Sequence, residues 1–304
     1  MINLTELFCD VDDFYKNNMN QQRALISNKQ RNRKFKMSIS EISTLLILFH
    51  LSGYRTLKHF YTEYVPFFLS KQFPNQVSYN RFVELEQSVT SFLSNYLQSK
   101  MVDSEGISFT DSTKLSVCDN HRINRHKTFK DSAKRGKTSM GWFYGFKLHL
   151  IVDDLGQIVS FYVSSGNVDD RQGLRAMVNM SEVKGKVFAD RGYISNSLKE
   201  ELNNQGVDLI YRPRSNMKKT DKLSDFDSAV LYKRNIIETI FGQLKNMCQI
   251  EHTRHRSFSG FCVNLLSGLL AYVWKPQKPS LNLRSGAVLS GNHINNPLIS
   301  MIID

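Results

Sequence analysis

The stretch Tyr232-Lys-Arg234-Asn-Ile-Ile-Glu238-Thr-Ile-Phe-Gly-Gln-Leu-Lys245 decides how the rest of the chain reads. Ile237, Phe241, Leu244 and Cys248 recur at helical spacing and form one apolar stripe, while Arg234, Glu238 and Lys245 fall on a neighbouring face. Alone, this is an ordinary amphipathic helix with one exposed ion pair, which contributes only about 0.2–0.5 kcal/mol. Two isolated acids upstream change that reading. Gly106-Ile-Ser-Phe-Thr-Asp111-Ser-Thr-Lys114-Leu reads as a short strand ending at an acid, and Lys186-Val-Phe-Ala-Asp190-Arg191-Gly-Tyr193 reads the same way. Mg²⁺ takes oxygen ligands and usually keeps several waters, so a few carboxylates plus substrate phosphate oxygens form its natural ligand set. Asp111, Asp190 and Glu238 meet that demand and form a candidate metal site over a phosphodiester.

The segment between the two aspartates is strand-rich. Phe146 to Val152, a turn at Asp153-Asp154-Leu-Gly156, and Gln157 to Val163 predict a β-hairpin whose acids serve the turn. Asp169 and Asp170 precede Arg171 to Met180 as helix N-cap and first-turn acids, and they are the rivals to Asp190 as second ligand. Asp190 is preferred because it follows the apolar Val187-Phe-Ala. His149 alternates with apolar neighbours and reads as a hydrogen-bonded sheet histidine rather than a base. A Ser/His/Asp hydrolase is disfavoured without a Gly-x-Ser-x-Gly elbow, and no nucleotide-binding Gly-x4-Gly-Lys-Ser/Thr loop is encoded.

The order Asp111-Ser-Thr, Gly145-Phe-Lys-Leu-His149, Ala-Asp190-Arg-Gly-Tyr and Tyr-x-Arg-x3-Glu-x6-Lys resembles the DDE transposases of bacterial insertion sequences over roughly residues 105 to 275. The resemblance implies a ribonuclease-H-like α/β domain, a mixed sheet with flanking helices, preceded by a small all-α domain. It also implies two Mg²⁺ (or Mn²⁺) ions, cleavage at element ends and joining of a 3′-hydroxyl to target DNA. By matching positions, Asp111, Asp190 and Glu238 become the metal-binding catalytic triad, and Arg234 and Lys245 contact phosphates beside the cut. Arg191 follows the second acid directly and is placed to do the same. Tyr232 departs from the family pattern, being separated from Arg234 by Lys233 alone.

A formal charge of +12 and a pI near 9.5 suit a polyanionic partner, with DNA, RNA and anionic membranes all compatible on charge alone. Cys9, Cys118, Cys248 and Cys262 show no zinc spacing and fit a reducing setting. The acidic first residues, with Glu6, Asp10, Asp12 and Asp13, argue against a secretory signal, so a cytoplasmic, nucleoid-associated protein is expected. Phe258 to Trp274 is long and apolar but carries Asn264, Ser267 and Gly268, and reads as a buried helix closing the catalytic domain rather than a membrane span.

Residues 1–100 read as helical. Ser38-x-x-Glu41 has capping-box spacing before Ile42 to Leu51, Gly53 ends that helix, and a second carrying Tyr54 to Tyr64 stops at Pro66. A third long helix runs from Tyr79 to Leu97. The module reads either as a helix-turn-helix-like reader of terminal inverted repeats, presenting Tyr79, Asn80 and Arg81, or as a support or dimerisation domain. Lys29 to Lys36 is a candidate phosphate-binding arm, and the basic region from His121 through Lys134, Arg135 and Lys137 reads as a loop guiding the scissile strand. The expected organisation is 1–100 helical, 101–275 catalytic and 276–304 a poorly ordered tail. Cutting two ends favours a homodimer. Two other functions remain open: a metal-dependent nuclease on the same fold, and an inactive repeat-binding repressor.

Overall fold

The computed structural model of the protein describes residues 3–25, 36–104, 106–139, 141–213, 223–252 and 254–281. Most of the basic run Lys29 to Lys36, and the tail beyond residue 281, lie outside the described residues. The chain divides into two compact units, Met1–Lys100 with Gln243–Pro276, and Met101–Gly242 with Gln277–Asp304.

The first unit begins with α1 (Leu4–Leu25) and α2 (Ile39–Leu51). Ser38 caps α2 through a true capping box: the Glu41 amide donates to Ser38 Oγ at 3.1 Å and the Ser38 amide donates to Glu41 Oε2 at 2.6 Å. Gly53, at φ +76°, follows its end in the left-handed conformation. Pro66 does not stop the next helix. α3 (Leu57–His59) passes into a π-helical Phe60–Tyr64 and then α4 (Val65–Phe68), with Pro66 in the first turn of α4, where a proline has little hydrogen bonding to lose.

The predicted third helix is also divided, into α5 (Tyr79–Glu86), a 3-10 turn Gln87–Val89 and α6 (Thr90–Ser99). Hydroxyls explain the break, since Ser88 Oγ donates to the Leu85 carbonyl and Thr90 Oγ1 to that of Gln87, competing with the helical ladder.

The second unit is built on β1 (Ile107–Cys118), β2 (Lys134–Thr138), β3 (Gly141–Asp153), β4 (Ile158–Ser165), β5 (Gly185–Phe188) and β6 (Val207–Ile210). β1 lies between β3, to which it is antiparallel, and β5, which runs parallel to it and to β6. β4 and β2 share the outer edge of β3, β4 along Phe146 to Val152 and β2 along Gly141 to Gly145. The β3–β4 hairpin agrees with its prediction, and Asp153 Oδ1 accepts from the amides of Leu155 and Gln157 in the turn.

Two sequence readings are corrected here. β1 does not end at Asp111 but runs seven residues further, to Cys118, because β3 pairs with it from Ser108 to Cys118. Lys134 to Thr138 is an edge strand rather than part of a loop, and its lysine and arginine content suits an edge exposed to water.

α7 (Asp170–Met180) and α8 (Asn196–Asn203) cross over between β4, β5 and β6, and α7 packs Leu174, Met177 and Val178 into a core with Ile151, Val187 and Leu209. The docking of α7 depends on Gly173, where an added Cβ would lie 2.3 Å from Nδ1 of His149. Gly173→Ala gains about 1 kcal/mol in helix propensity but overpacks a fully buried ring, a cost of about 1–3 kcal/mol or more. A net loss of stability is therefore expected in urea unfolding.

His149 is fully buried, with Nε2 2.8 Å from Ser164 Oγ, as a sheet histidine should be. Burial pushes its pKa down from 6.5 to about 4, against the pull of Asp170. The unfolded chain thus takes up the proton at higher pH than the folded one. The contribution of neutral His149 is complete above about pH 6.5 and is lost as pH falls toward 4. Urea midpoints measured from pH 7 to 4 should fall less steeply for His149→Gln than for the parent.

After β6 come α9 (Asp225–Tyr232), a 3-10 turn Lys233–Asn235 and α10 (Ile236–Asn246), so the motif first quoted starts on the last residue of α9 and passes through a tight turn into α10. Ile237, Phe241, Leu244 and Cys248 are all buried, as their spacing predicts. α11 (Phe258–Val273) packs against α2 and α6 in the first unit, whereas the sequence reading had it closing the catalytic domain. The His50 ring contacts the Cys248 carbonyl at 2.5 Å, Gln249 donates to the Tyr54 carbonyl at 2.8 Å, and Trp274 Nε1 donates to Tyr96 Oη at 3.1 Å. These contacts join residues whose distance along the chain hid them. Among the described residues, no helix is long and apolar enough to cross a membrane.

Candidate active site

The parallel register of β1 and β5 pairs Phe109 with Phe188. Two residues further along each chain stand Asp111 and Asp190, so the register carries both acids to the same end of the seam between strands about 4.8 Å apart. Asp111 remains in β1, while Asp190 has left β5 and caps the 3-10 turn Arg191–Tyr193, accepting from the Gly192 amide at 2.8 Å.

Successive residues of a strand point to opposite faces. Ser112 Oγ reaches Asp170 at the start of α7 at 2.6 Å, and Asp111 turns the other way, where its Oδ2 accepts from Arg234 Nη1 at 3.0 Å. Arg234 also reaches Glu238 Oε1 with Nη2 at 3.5 Å, so one guanidinium spans the first and third acids.

The electrostatics are those of crowded carboxylates. Burial is the main cause that raises the Asp111 pKa to about 6, and Asp190 adds to it, while the Ser112 amide and Arg234 oppose it. Tyr193 is buried and held well above its ordinary value, first by desolvation and then by the charges of Asp111, Asp170 and Asp190. The rival acids are otherwise engaged. Asp169 is paired with Arg171 at 2.6 Å, which holds its pKa down to about 2, and Asp170 Oδ1 accepts from both Lys147 and Ser112.

Among the described residues, no three acid, His or Cys side chains are gathered closely enough to hold a metal ion as they stand. The donor set nevertheless fits a hard divalent cation. All three groups are carboxylates, and the buried one is destabilised as an anion, a cost that added positive charge relieves.

The remaining sequence candidates fall in different places. Arg191, Lys134 and Arg135 are exposed. Tyr232 is 66% exposed, with the Arg212 guanidinium 4.7 Å from its ring centre. Lys245 is paired with Glu251 at 2.9 Å in the helical unit. Arg81 is exposed on α5 and paired with Glu84 at 2.7 Å, and of its neighbours Tyr79 packs against Tyr61 while Asn80 is exposed.

Sequence reasoning passed over three features of this surface. Trp142 is 55% exposed, with Arg135 and Lys137 over its ring at 5.6 and 5.7 Å. These three residues, with Lys147, Asp170 and Gly192, line a pocket of about 350 Å³, and the amide of Gly192 donates to Asp190. Arg212 was not singled out either. Lys147 carried a readable signal, as a lone charge amid the apolar residues of β3.

A mixed sheet with flanking helices is the fold of a ribonuclease-H-like catalytic domain, here with a helical region before it. The family model described as "Transposase DDE domain" matches residues 101–258, just over half of the chain, and the chain belongs to that family. The protein is a DDE transposase, a metal-dependent enzyme that cuts and joins DNA. Among solved structures, it is similar to a piggyBac transposase in a synaptic complex with hairpin DNA, at a TM-score of 0.50 and 8% identity, over 99% of this chain and 79% of that one. A Mos1 mariner paired-end complex with Mn matches at a TM-score of 0.22 and 10% identity, over 86% of this chain and 84% of that one. No curated protein matches the sequence.

Proposed function

We propose that the protein is the transposase of a bacterial insertion sequence, which binds the terminal inverted repeats of its element, cuts at their ends and joins the freed 3′-hydroxyl to target DNA. The observation that carries this reading is the grouping of Asp111 with Asp190 at one seam, with Arg234 tying Asp111 to Glu238. In this reading Asp111, Asp190 and Glu238 hold two Mg²⁺ or Mn²⁺ ions, which when bound activate the attacking oxygen and stabilise the leaving one.

The chain's own residues do the rest. Arg234 neutralises Asp111 and Glu238 before metal arrives, and its paired donors then suit a phosphate oxygen of the bound strand. Arg191, Lys134 and Arg135 present exposed charge for backbone contacts, which position DNA without reading sequence. Tyr232 joins them as an exposed ring backed by Arg212. Lys245 requires exchange of its Glu251 partner before it can touch phosphate. The helical unit, with Asn80 and Arg81 exposed on α5, is assigned to the terminal repeats, and two copies of the chain to the two ends. Action on chromosomal DNA places the protein in the cytoplasm with the nucleoid.

The experiment is to incubate the protein and Mg²⁺ or Mn²⁺ with DNA carrying the inverted repeats that flank its reading frame, together with a target plasmid. Joint molecules with element ends in the target are expected. Cuts without joints point to a nuclease, and repeat binding without cuts to a repressor.

A further inference from the structure

The Gly145-Phe-Lys147-Leu-His149 run has no part in the chemistry described so far, yet Lys147 and His149 converge on Asp170, the partner of the Ser112 hydroxyl beside Asp111. Gly145 lets β3 close on β1, since a Cβ there would lie 2.0 Å from the Leu115 carbonyl oxygen. Lys147 is buried, with an exposure of 8%, and its ammonium donates to the Val168 carbonyl and to Asp170 Oδ1, both at 2.9 Å. His149 packs against Gly173 and stands 3.9 Å from the same Asp170 oxygen. The run therefore fixes the start of α7 against the sheet, with Asp170 held in one place.

Asp170 in turn receives the Ser112 hydroxyl at 2.6 Å, and the Ser112 amide donates to Asp111 Oδ1 at 2.7 Å. This is the point where β1 loses lateral support, because its described pairing with β5 stops at Phe109 while the pairing with β3 continues. With β3 alone beside it, the strand is held on one side only at Ser112, and a tilt there swings the carboxylate of Asp111 on the opposite face.

We infer that Lys147, Asp170 and Ser112 form a positioning relay that sets the orientation of the Asp111 carboxylate for its metal ion. The inference rests on the proposed metal-binding role of Asp111. Lys147 neutralises and anchors Asp170, Asp170 holds the Ser112 hydroxyl, and Ser112 fixes the carboxylate through its own amide. None of the three touches the metal. Partners that orient ligating carboxylates typically change metal affinity or activity about 10–100-fold when removed.

The test measures Mn²⁺ binding to the full-length protein by the electron paramagnetic resonance signal of the free ion, alongside melting temperature without metal. Ser112→Ala should weaken Mn²⁺ binding about tenfold with little change in apo melting temperature, and Ser112→Thr, which keeps the hydroxyl, should restore it. Asp170→Asn, which discharges the anchor of Lys147, should weaken binding in the same direction. Asp111→Asn separates the two ideas. If it lowers Mn²⁺ binding while Ser112→Ala and Asp170→Asn leave it unchanged, the relay is overturned and the metal site stands. If Asp111→Asn itself leaves binding unchanged, the metal-site reading falls and takes the relay with it.

Discussion

Glu238→Gln should lower DNA cleavage and joining on the order of 10³-fold or more, the scale seen when one member of a cooperating catalytic set is removed, while leaving the fold intact. The separation follows from where the side chain sits. Glu238 is 59% exposed, and its described ion pair is with Arg234, four residues earlier, at 3.5 Å. Surface substitutions of this kind change stability by about 0.5 kcal/mol or less. Glutamine keeps the shape but removes the anionic oxygen a hard cation requires. Without metal the variant should therefore melt with the parent, and the loss should appear in turnover and in a smaller stabilisation by added Mn²⁺. Cleavage by the variant at the parent rate would end the assignment of Glu238 as a metal ligand.

Arg234→Met should have the opposite profile, with a stability defect that depends on metal. Arg234 and Asp111 are mostly buried, with 18% and 22% of their side chains exposed, and Asp111 Oδ2 accepts from this guanidinium. Losing a hydrogen bond to a charged group costs about 1.5–3 kcal/mol, and here it also leaves a buried carboxylate without its nearby cation. Added Mn²⁺ should supply the missing positive charge. The melting-temperature difference from the parent should be large in chelator and smaller in millimolar Mn²⁺, because an ion that binds only the folded state stabilises it by mass action. An equal difference in both conditions would place the cation site somewhere other than at Asp111. Arg234→Lys should fall between the two, since lysine keeps the charge but not the two-pronged span from Asp111 to Glu238.

The local chemistry of the chain was legible wherever one segment carries its own signal. The capping box at Ser38 and Glu41, the β3–β4 hairpin with Asp153 in its turn, the Asp169 cap on α7 and the buried stripe from Ile237 to Cys248 all follow from spacing and side-chain type. Periodicity misjudged the elements whose extent a neighbour sets. β1 outruns Asp111 because β3 pairs with it to Cys118, and β2 forms from a basic run because an edge strand can leave its lysines in water. The helix predicted from Tyr79 to Leu97 breaks where Ser88 and Thr90 turn their hydroxyls onto the backbone, a choice that spacing does not encode.

By itself the sequence determined the order of the three acids, the class of chemistry they suit and the family that order resembles, because residue type and spacing are properties of the chain. Tertiary structure alone decided three things. Asp111 lies beside Asp190 through the Phe109 to Phe188 register, Arg234 reaches Asp111, and the start of α7 backs Ser112 through Asp170. The physical reason is common to all three. Each joins residues dozens of positions apart, and such contacts are fixed by sheet register and by which face of a strand a side chain occupies, neither of which exists until the sheet has formed.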